Sequence, residues 1–298
     1  MRIESLRLTD PLSIRIFYLT IPELVKKING ASKIMLALNI KKKKHGDAFE
    51  LKDINVEISP SQITLLLGHN GAGKTTIIKS LFGLMDYEGS LCLDDILVNY
   101  NSSKGINYLK NNISYISDEN ALFDYLTPKE YFSLIEKTFN KVDHKMLENF
   151  IKIFELERYL NIPIINLSHG NKKKTEIISQ LFKKSKYIVF DEPTNGLDPD
   201  MVIILRETLK ILKNTGRGIL LSTHHLSFGE ELYDNLIILR NGKLKLNSTR
   251  DEIRKRYGDY SLEKIYQEVN EEYYMQVKEI LNELHDRDHK ENRVSKKI

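Results

Sequence analysis

The feature that most restricts what this chain can fold into is the nine-residue run GHNGAGKTT at Gly68–Thr76, entered directly from five apolar residues, Ile63–Leu67. A G-x-x-x-x-G-K-[ST] pattern set between an apolar strand and a helix is a phosphate-cradling turn. Its composition follows from its chemistry. Gly71 and Gly73 let the backbone approach phosphate oxygens, whose charge is met by amide N–H groups and by the positive end of a helix beginning near Lys74. Lys74 adds a mobile cation, Thr75 is placed to offer its hydroxyl to Mg2+, and Thr76 is placed to bond the α-phosphate. The whole turn, Gly68, His69, Asn70, Gly71, Ala72, Gly73, Lys74, Thr75 and Thr76, is expected to hold the phosphates of a nucleotide.

Two further apolar runs of strand length, Tyr187–Phe190 and Gly218–Leu221, are followed by residues suited to the same chemistry. Runs without alternation mark strands buried on both faces, and the helical stretches between them over 36–246 indicate an α/β domain with a mainly parallel central sheet. In such a sheet the strand ends share an edge with the phosphate turn. Asp191 and Glu192 leave the first run there. Asp191 suits Mg2+ through water, whereas Glu192 can act as general base toward a water lined up behind the γ-phosphate. The plainer alternative makes Asp191-Glu192-Pro193 a helix-capping turn. After the second run comes Ser222-Thr223-His224-His225, where His224 either contacts the γ-phosphate and orients Glu192 or serves structure alone.

Composition removes several other classes. With 45 basic and 41 acidic residues closely mixed, the net charge of +4 makes no electrostatic case for nucleic-acid binding. One cysteine, Cys92, forms no internal disulfide and no Cys/His metal cluster, and it fits a reducing compartment. No run approaches the roughly eighteen apolar residues of a membrane helix, so membrane work requires another chain.

Residues 1–34 read as an amino-terminal extension without signal-peptide character, or as sequence upstream of a true start at Met35. Between about 118 and 167 the strand pattern gives way to helical spacing, as in Lys129–Thr138 and Met146–Leu156, which predicts an inserted helical subdomain. Residues 247–298 predict a helical, highly charged tail.

Taken together these residues resemble the nucleotide-binding domain of ABC transporters, of the prokaryotic single-domain exporter type. The segment that carries the resemblance is LSHGNKKK at Leu167–Lys174, similar to the family signature LSGGQ. In that family the signature opens a helix and faces ATP held by another subunit, which implies that Ser168 and Gly170 complete a partner's site. A serine hydroxyl, a glycine amide and a helix N-terminus suit that anion-binding task, while Ser168 also reads as a simple N-cap. EPTNGLDP at Glu192–Pro199 resembles the family's D-loop, in which Asp198 links the two sites. A looser echo at Ser261–Tyr266 resembles the end of the exporter-type domains.

The resemblance implies a P-loop ATPase of ABC type, with an antiparallel β edge beside the parallel sheet. It also implies ATP and Mg2+, with Glu192, His224 and Lys74 as catalytic residues. The implied assembly is a homodimer or heterodimer with a second such subunit, peripheral to the cytoplasmic face of the membrane and driving a permease on a separate chain. His45 falls where the family stacks an aromatic on adenine, with Phe49 as competitor. A departure occurs at Asp118, which with Glu119 stands where the family has a glutamine touching Mg2+ and the attacking water. A carboxylate still suits hydrated Mg2+ but donates nothing. Phe123, Tyr125 and Tyr131 read either as anchors for the permease or as helical-core residues. Two other readings stay open at this point: an ABC-type clamp without a transport role, and a P-loop enzyme of another kind, such as a kinase.

Overall fold

Burial on both faces explains why the predicted strands carry no alternation: they form the centre of a six-stranded sheet. The structure is a computed structural model that describes residues 35–45, 49–119, 121–139 and 141–295. The expected amino-terminal extension, 1–34, lies outside the described residues. The chain begins with β1 (Leu36–His45), β2 (Phe49–Ile58), β3 (Ile63–Leu67) and α1 (Lys74–Leu81). It continues through β4 (Glu88–Leu93), β5 (Ile96–Leu97), α2 (Ser103–Asn112) and β6 (Ile113–Ile116). A helical stretch follows, α3 (Pro128–Thr138), α4 (His144–Ile153), two short 3-10 turns and α5 (His169–Leu181). Then come β7 (Tyr187–Asp191), α6 (Pro199–Asn214), β8 (Gly218–Thr223), α7 (Leu226–Glu230), β9 (Asn235–Arg240) and β10 (Lys243–Thr249). Three helices close the chain: α8 (Arg250–Tyr257), α9 (Leu262–Val269) and α10 (Glu271–Ser295).

The larger sheet has the order β10-β9-β3-β8-β7-β6 and the smaller β2-β1-β4-β5. Strands β3, β6, β7, β8 and β9 run parallel. Strand β10 is antiparallel to β9 through Asn241–Gly242, at φ 49° and 74°. A two-residue hairpin turn of this hand needs positive φ at both positions, which Asn-Gly supplies with little strain. The smaller sheet is antiparallel throughout.

Alternate residues of each central strand serve different layers. Leu65 and Leu67 join Phe190, Leu221 and Ile238 beneath α5 and α6, whereas Leu66 joins Val189, Leu220 and Ile237 toward α1 and the smaller sheet. Leu205 of α6 is fully buried in the first layer. Leu205→Ala is expected to cost about 2–5 kcal/mol, because the packed neighbours collapse only partly into the space left. Urea unfolding followed by circular dichroism measures this; a loss within error of zero would show that the layer is not tightly packed.

Helix α3 starts where its sequence dictates. Thr127 and Glu130 form a reciprocal capping box around Pro128 at the first helical position. Its inward face is Tyr131, Phe132 and Ile135. Tyr131, one of three aromatics considered as partner anchors, is therefore a core residue, 6% exposed and edge-on to Phe123. Phe123 and Tyr125 remain candidates at 61% and 89% exposure. Among the described residues no helix is long and apolar enough to cross a membrane.

Candidate nucleotide site

Because the central strands are parallel, the turns after β3, β6, β7 and β8 emerge along one edge, and this brings distant residues together. A cleft of about 600 Å3 there is lined by His69, Asn70, Gly71, Gly73, Lys74, Thr75 and Thr76 from the first turn. Asp118, Glu192, Asn195 and His224 from the other strand ends, with Phe49 of β2, complete its wall.

Gly73 is required at the head of α1 for two reasons. Its φ of 112° is strained for any residue with a side chain, and an added Cβ would lie 2.8 Å from both Phe49 Cζ and Leu51 Cδ2. No side chain caps α1, so the N–H groups of its first turn, unpaired within any helix, are left for a ligand. Lys74 is 6% exposed; its Nζ donates to the Gly68 carbonyl at 2.7 Å and lies 3.0 Å from Glu192 Oε1. The second contact is an ion pair without a directed hydrogen bond, since Oε1 has no aligned donor among the described residues. Lys74→Ala is expected to weaken ATP binding about 10- to 100-fold, the worth of a charge-assisted contact to phosphate. Titration with a fluorescent ATP analogue reads this directly, and unchanged affinity would take Lys74 out of the site.

Glu192 is held at φ 46°, a conformation that costs a non-glycine residue roughly 1–3 kcal/mol and persists only where surroundings fix it. Here Ser222 fixes the backbone: its carbonyl and its hydroxyl each accept from the Glu192 N–H at 3.2 Å. His224 fixes the side chain. Its Nδ1 lies 2.9 Å from Glu192 Oε2 and its backbone N–H donates to the same oxygen at 3.3 Å. With the carboxylate ionised, Nδ1 is the protonated ring nitrogen. Burial pushes the Glu192 carboxyl up, but the His224 hydrogen bond and the Lys74 charge outweigh it and hold the group below its ordinary value.

Asp191 is fully buried at the end of β7 and accepts from the Ser222 hydroxyl through Oδ1. Burial raises its carboxyl above the usual range, with the Ser222 and Thr75 hydroxyls pulling the other way. Its Oδ2 has no hydrogen-bond partner among the described residues. A buried oxygen left bare beside a threonine hydroxyl fits a hard cation such as Mg2+. Among the described residues no group of three or more His, Cys, Asp or Glu is built to hold a metal.

The expected site residues divide into two sets. Lys74, Thr75, Thr76, Asp118, Glu192 and His224 share the cleft with His69, Asn70, Gly71 and Gly73, while Gly68 and the fully buried Ala72 and Asp191 of the same strand ends do not line it. Ser168, Gly170 and Asp198 do not line it. Ser168 is exposed and caps α5, accepting from the Asn171 N–H at 3.3 Å, and Asp198 is exposed and caps α6, accepting from Met201 at 2.9 Å. The two turns touch one another. Gly170 lies against the Gly196 carbonyl, and the His169 ring lies so close to Gly196 that an added Cβ there would sit 2.0 Å from its Cδ2. Of the two adenine-stacking candidates, Phe49 lines the cleft, and the side chain of His45 lies outside the described residues. Sequence reasoning missed Ser222 and Asn195. Ser222 owes its role to the parallel register that sets it beside Asp191, which no local motif announces.

A family model described as ABC transporter matches residues 51–195. An uncharacterized ABC transporter ATP-binding protein of Bacillus subtilis, YhaQ, is 32% identical over 228 residues, 75% of this chain and 74% of that one. A solved structure titled as the ATP-binding subunit of an ABC transporter superposes with a TM-score of 0.71 at 29% identity, covering 79% of this chain and 99% of the other. The structure of cbiO1 from Clostridium perfringens, titled as part of the ABC transporter complex cbiONQ, superposes with a TM-score of 0.61 at 26% identity, covering 76% and 93%. Sheet order, phosphate turn and sequence thus agree, and the chain belongs to the family of ABC transporter ATP-binding proteins.

Proposed function

We propose that this chain hydrolyses ATP as one half of a dimer and thereby drives a permease on a separate chain, from a peripheral position on the cytoplasmic face of the membrane. The observation that carries this reading is the division of the site residues. One copy holds a cleft with phosphate-binding and water-activating groups, while Ser168, exposed, and Gly170, half-buried, stand at a helix end outside it. A second copy, or a related subunit, would supply its own Ser168 and Gly170 to the γ-phosphate, which makes ATP part of the interface. The description of cbiO1 as part of an ABC transporter complex supports the permease partner. The SLEKIY echo at Ser261–Tyr266 supports export as the direction.

Within the cleft the chemistry follows from the contacts. Incoming phosphates compete with Glu192 for the Lys74 ammonium, which now spans Gly68 and Glu192. Once Lys74 turns to phosphate, Glu192 loses the neighbouring cation that depresses its basicity and is free to take a proton from the attacking water. His224 keeps the carboxylate aimed by holding Oε2. Thr75, Asp191 and Asp118 are the residues that would hold Mg2+, which would supply positive charge against the charge developing on the phosphates. Phe49 provides the aromatic face for adenine, and the exposed Phe123 and Tyr125 provide the grip on the permease.

Turnover per molecule is expected to rise with protein concentration and to fall when catalytically dead copies are mixed in. Indifference to both would remove the dimeric mechanism. Phe123→Ala/Tyr125→Ala is expected to release the chain from membranes of its own cell without loss of ATP turnover. Unchanged membrane association, or a native protein found wholly off the membrane, would favour a clamp without a transport role.

A further inference from the structure

Helix α5 carries a buried ion pair that the catalytic scheme leaves unused. Lys173 is 0% and Glu176 4% exposed, and Lys173 Nζ lies 3.2 Å from Glu176 Oε2. Both side chains grasp one residue of another element. Ser117, directly after β6, donates its N–H to Glu176 Oε1 at 3.0 Å and places its hydroxyl 2.7 Å from the same oxygen. That hydroxyl also contacts the Glu119 carbonyl, and the Ser117 carbonyl accepts from the Lys173 ammonium. Every polar group of Ser117 is thus engaged, two of its three bonding groups by the pair alone.

Ser117 immediately precedes Asp118, which lines the nucleotide cleft. Ser168 caps the amino end of the same α5, about 8 to 12 Å along the axis from the pair. The loop bearing Phe123 and Tyr125 hangs from the segment leading into α5. Ile164 and Ile165 donate to Leu126 and Asp124 carbonyls at 2.8 and 2.9 Å, and Lys172 lies 3.7 Å from Asp124. Replacing a buried ion pair with apolar residues is often neutral for stability, so stability alone gives no reason for a charged pair here.

We propose that Lys173 and Glu176 are positioning residues that fix Asp118 to the signature helix, so that a displacement of Ser168 is delivered to the Asp118 edge of the same copy's cleft. The proposal rests on the dimeric reading above. In that dimer Ser168 senses the partner's ATP and Asp118 serves its own, and the clamp is a rigid link between the two. It engages backbone as well as side chain at Ser117, so α5 cannot tilt without carrying Asp118 with it.

The test uses the full chain with Lys173→Met/Glu176→Leu, Lys173→Gln/Glu176→Gln, and each combined with Asp118→Ala. In the apolar pair, amide hydrogen exchange over residues 117–119 without nucleotide is expected to speed up about tenfold or more. Its kcat is expected to fall about tenfold or more, with affinity for a fluorescent ATP analogue unchanged. The double-glutamine variant, which keeps an amide donor and a carbonyl acceptor in place, is expected to recover most of both. In the Asp118→Ala background the apolar pair is expected to lower kcat no further. Unchanged exchange, or an undiminished further loss in that background, overturns the proposal. Should the apolar pair not fold, Ser117→Ala carries the same cycle with Asp118→Ala, and additive effects on kcat overturn it. Wild-type protein that fails to hydrolyse ATP would sink the underlying reading instead, whereas exchange at Ser117 reads the clamp without turnover.

Discussion

Glu192→Gln is expected to lower ATP turnover by about 10²- to 10⁴-fold while leaving ATP binding intact. The amide is nearly the same shape and still accepts from His224, so the orientation set by the 2.9 Å contact survives. What disappears is the group able to take a proton from water, together with the negative charge facing Lys74 at 3.0 Å. Losing that charge frees Lys74 for phosphate, so the variant is expected to bind ATP at least as tightly as the native chain. In the proposed dimer, ATP that binds and is not cleaved would hold two copies closed, so the variant is expected to elute as a dimer with ATP and Mg2+ and as a monomer without them. Turnover within a few-fold of native, or a monomer under ATP, would remove Glu192 from its assigned role.

Ser168→Arg is expected to abolish turnover by a different route, with single-site ATP affinity unchanged. Ser168 lies outside the cleft of its own copy, so nothing the nucleotide first touches is altered. The variant loses an N-cap worth about 1 kcal/mol of stability. It also places a bulky guanidinium where, in the proposed dimer, a hydroxyl would approach the partner's γ-phosphate; loss of one such oriented donor costs about 10²- to 10³-fold in rate. The decisive measurement mixes two inactive proteins. In a dimer of Ser168→Arg with Glu192→Gln, one site receives an intact cleft from the first copy and an intact Ser168 from the second. Random pairing in a two-fold dimer makes half the molecules mixed, so up to about one quarter of native turnover should return. A mixture as inactive as its components would place Ser168 in the same site as Glu192, or in none.

The phosphate turn was legible because its chemistry is local. Strand, glycines, lysine and threonines are adjacent in the chain, and backbone conformation alone forms the cradle, as Gly73 at φ 112° illustrates. Asp191, Glu192 and His224 were legible as strand ends, each needing only an apolar run and the rule that parallel strands end together. Tyr131 and Phe123 were not separable by sequence, since both are aromatics near a helix start. Tyr131 is buried because it lies on the side of α3 that meets the core, whereas Phe123 sits in the loop ahead of that helix. Nothing in the sequence marked Lys173 and Glu176 as a buried pair, because a lysine and a glutamate three residues apart ordinarily read as a solvated pair on a helix surface. Burial converts them into a clamp, and burial is a property of what packs against α5.

The sequence by itself determined the elements and their chemistry: buried strands from unbroken apolar runs, a phosphate turn from glycines and lysine, caps from Thr127, Ser168 and Asp198. These depend on forces that act within a few residues, on φ preferences, side-chain capping and the periodicity of apolar groups. Only the tertiary structure decided that β8 lies between β3 and β7, and hence that Ser222 and His224 flank Glu192. It likewise decided that Ser168 stands away from the cleft of its own copy, and that Ser117 is held by α5. Strand order is set by how whole layers bury their apolar faces against one another, a sum over contacts between residues far apart in the chain, and no short window of residues contains that sum.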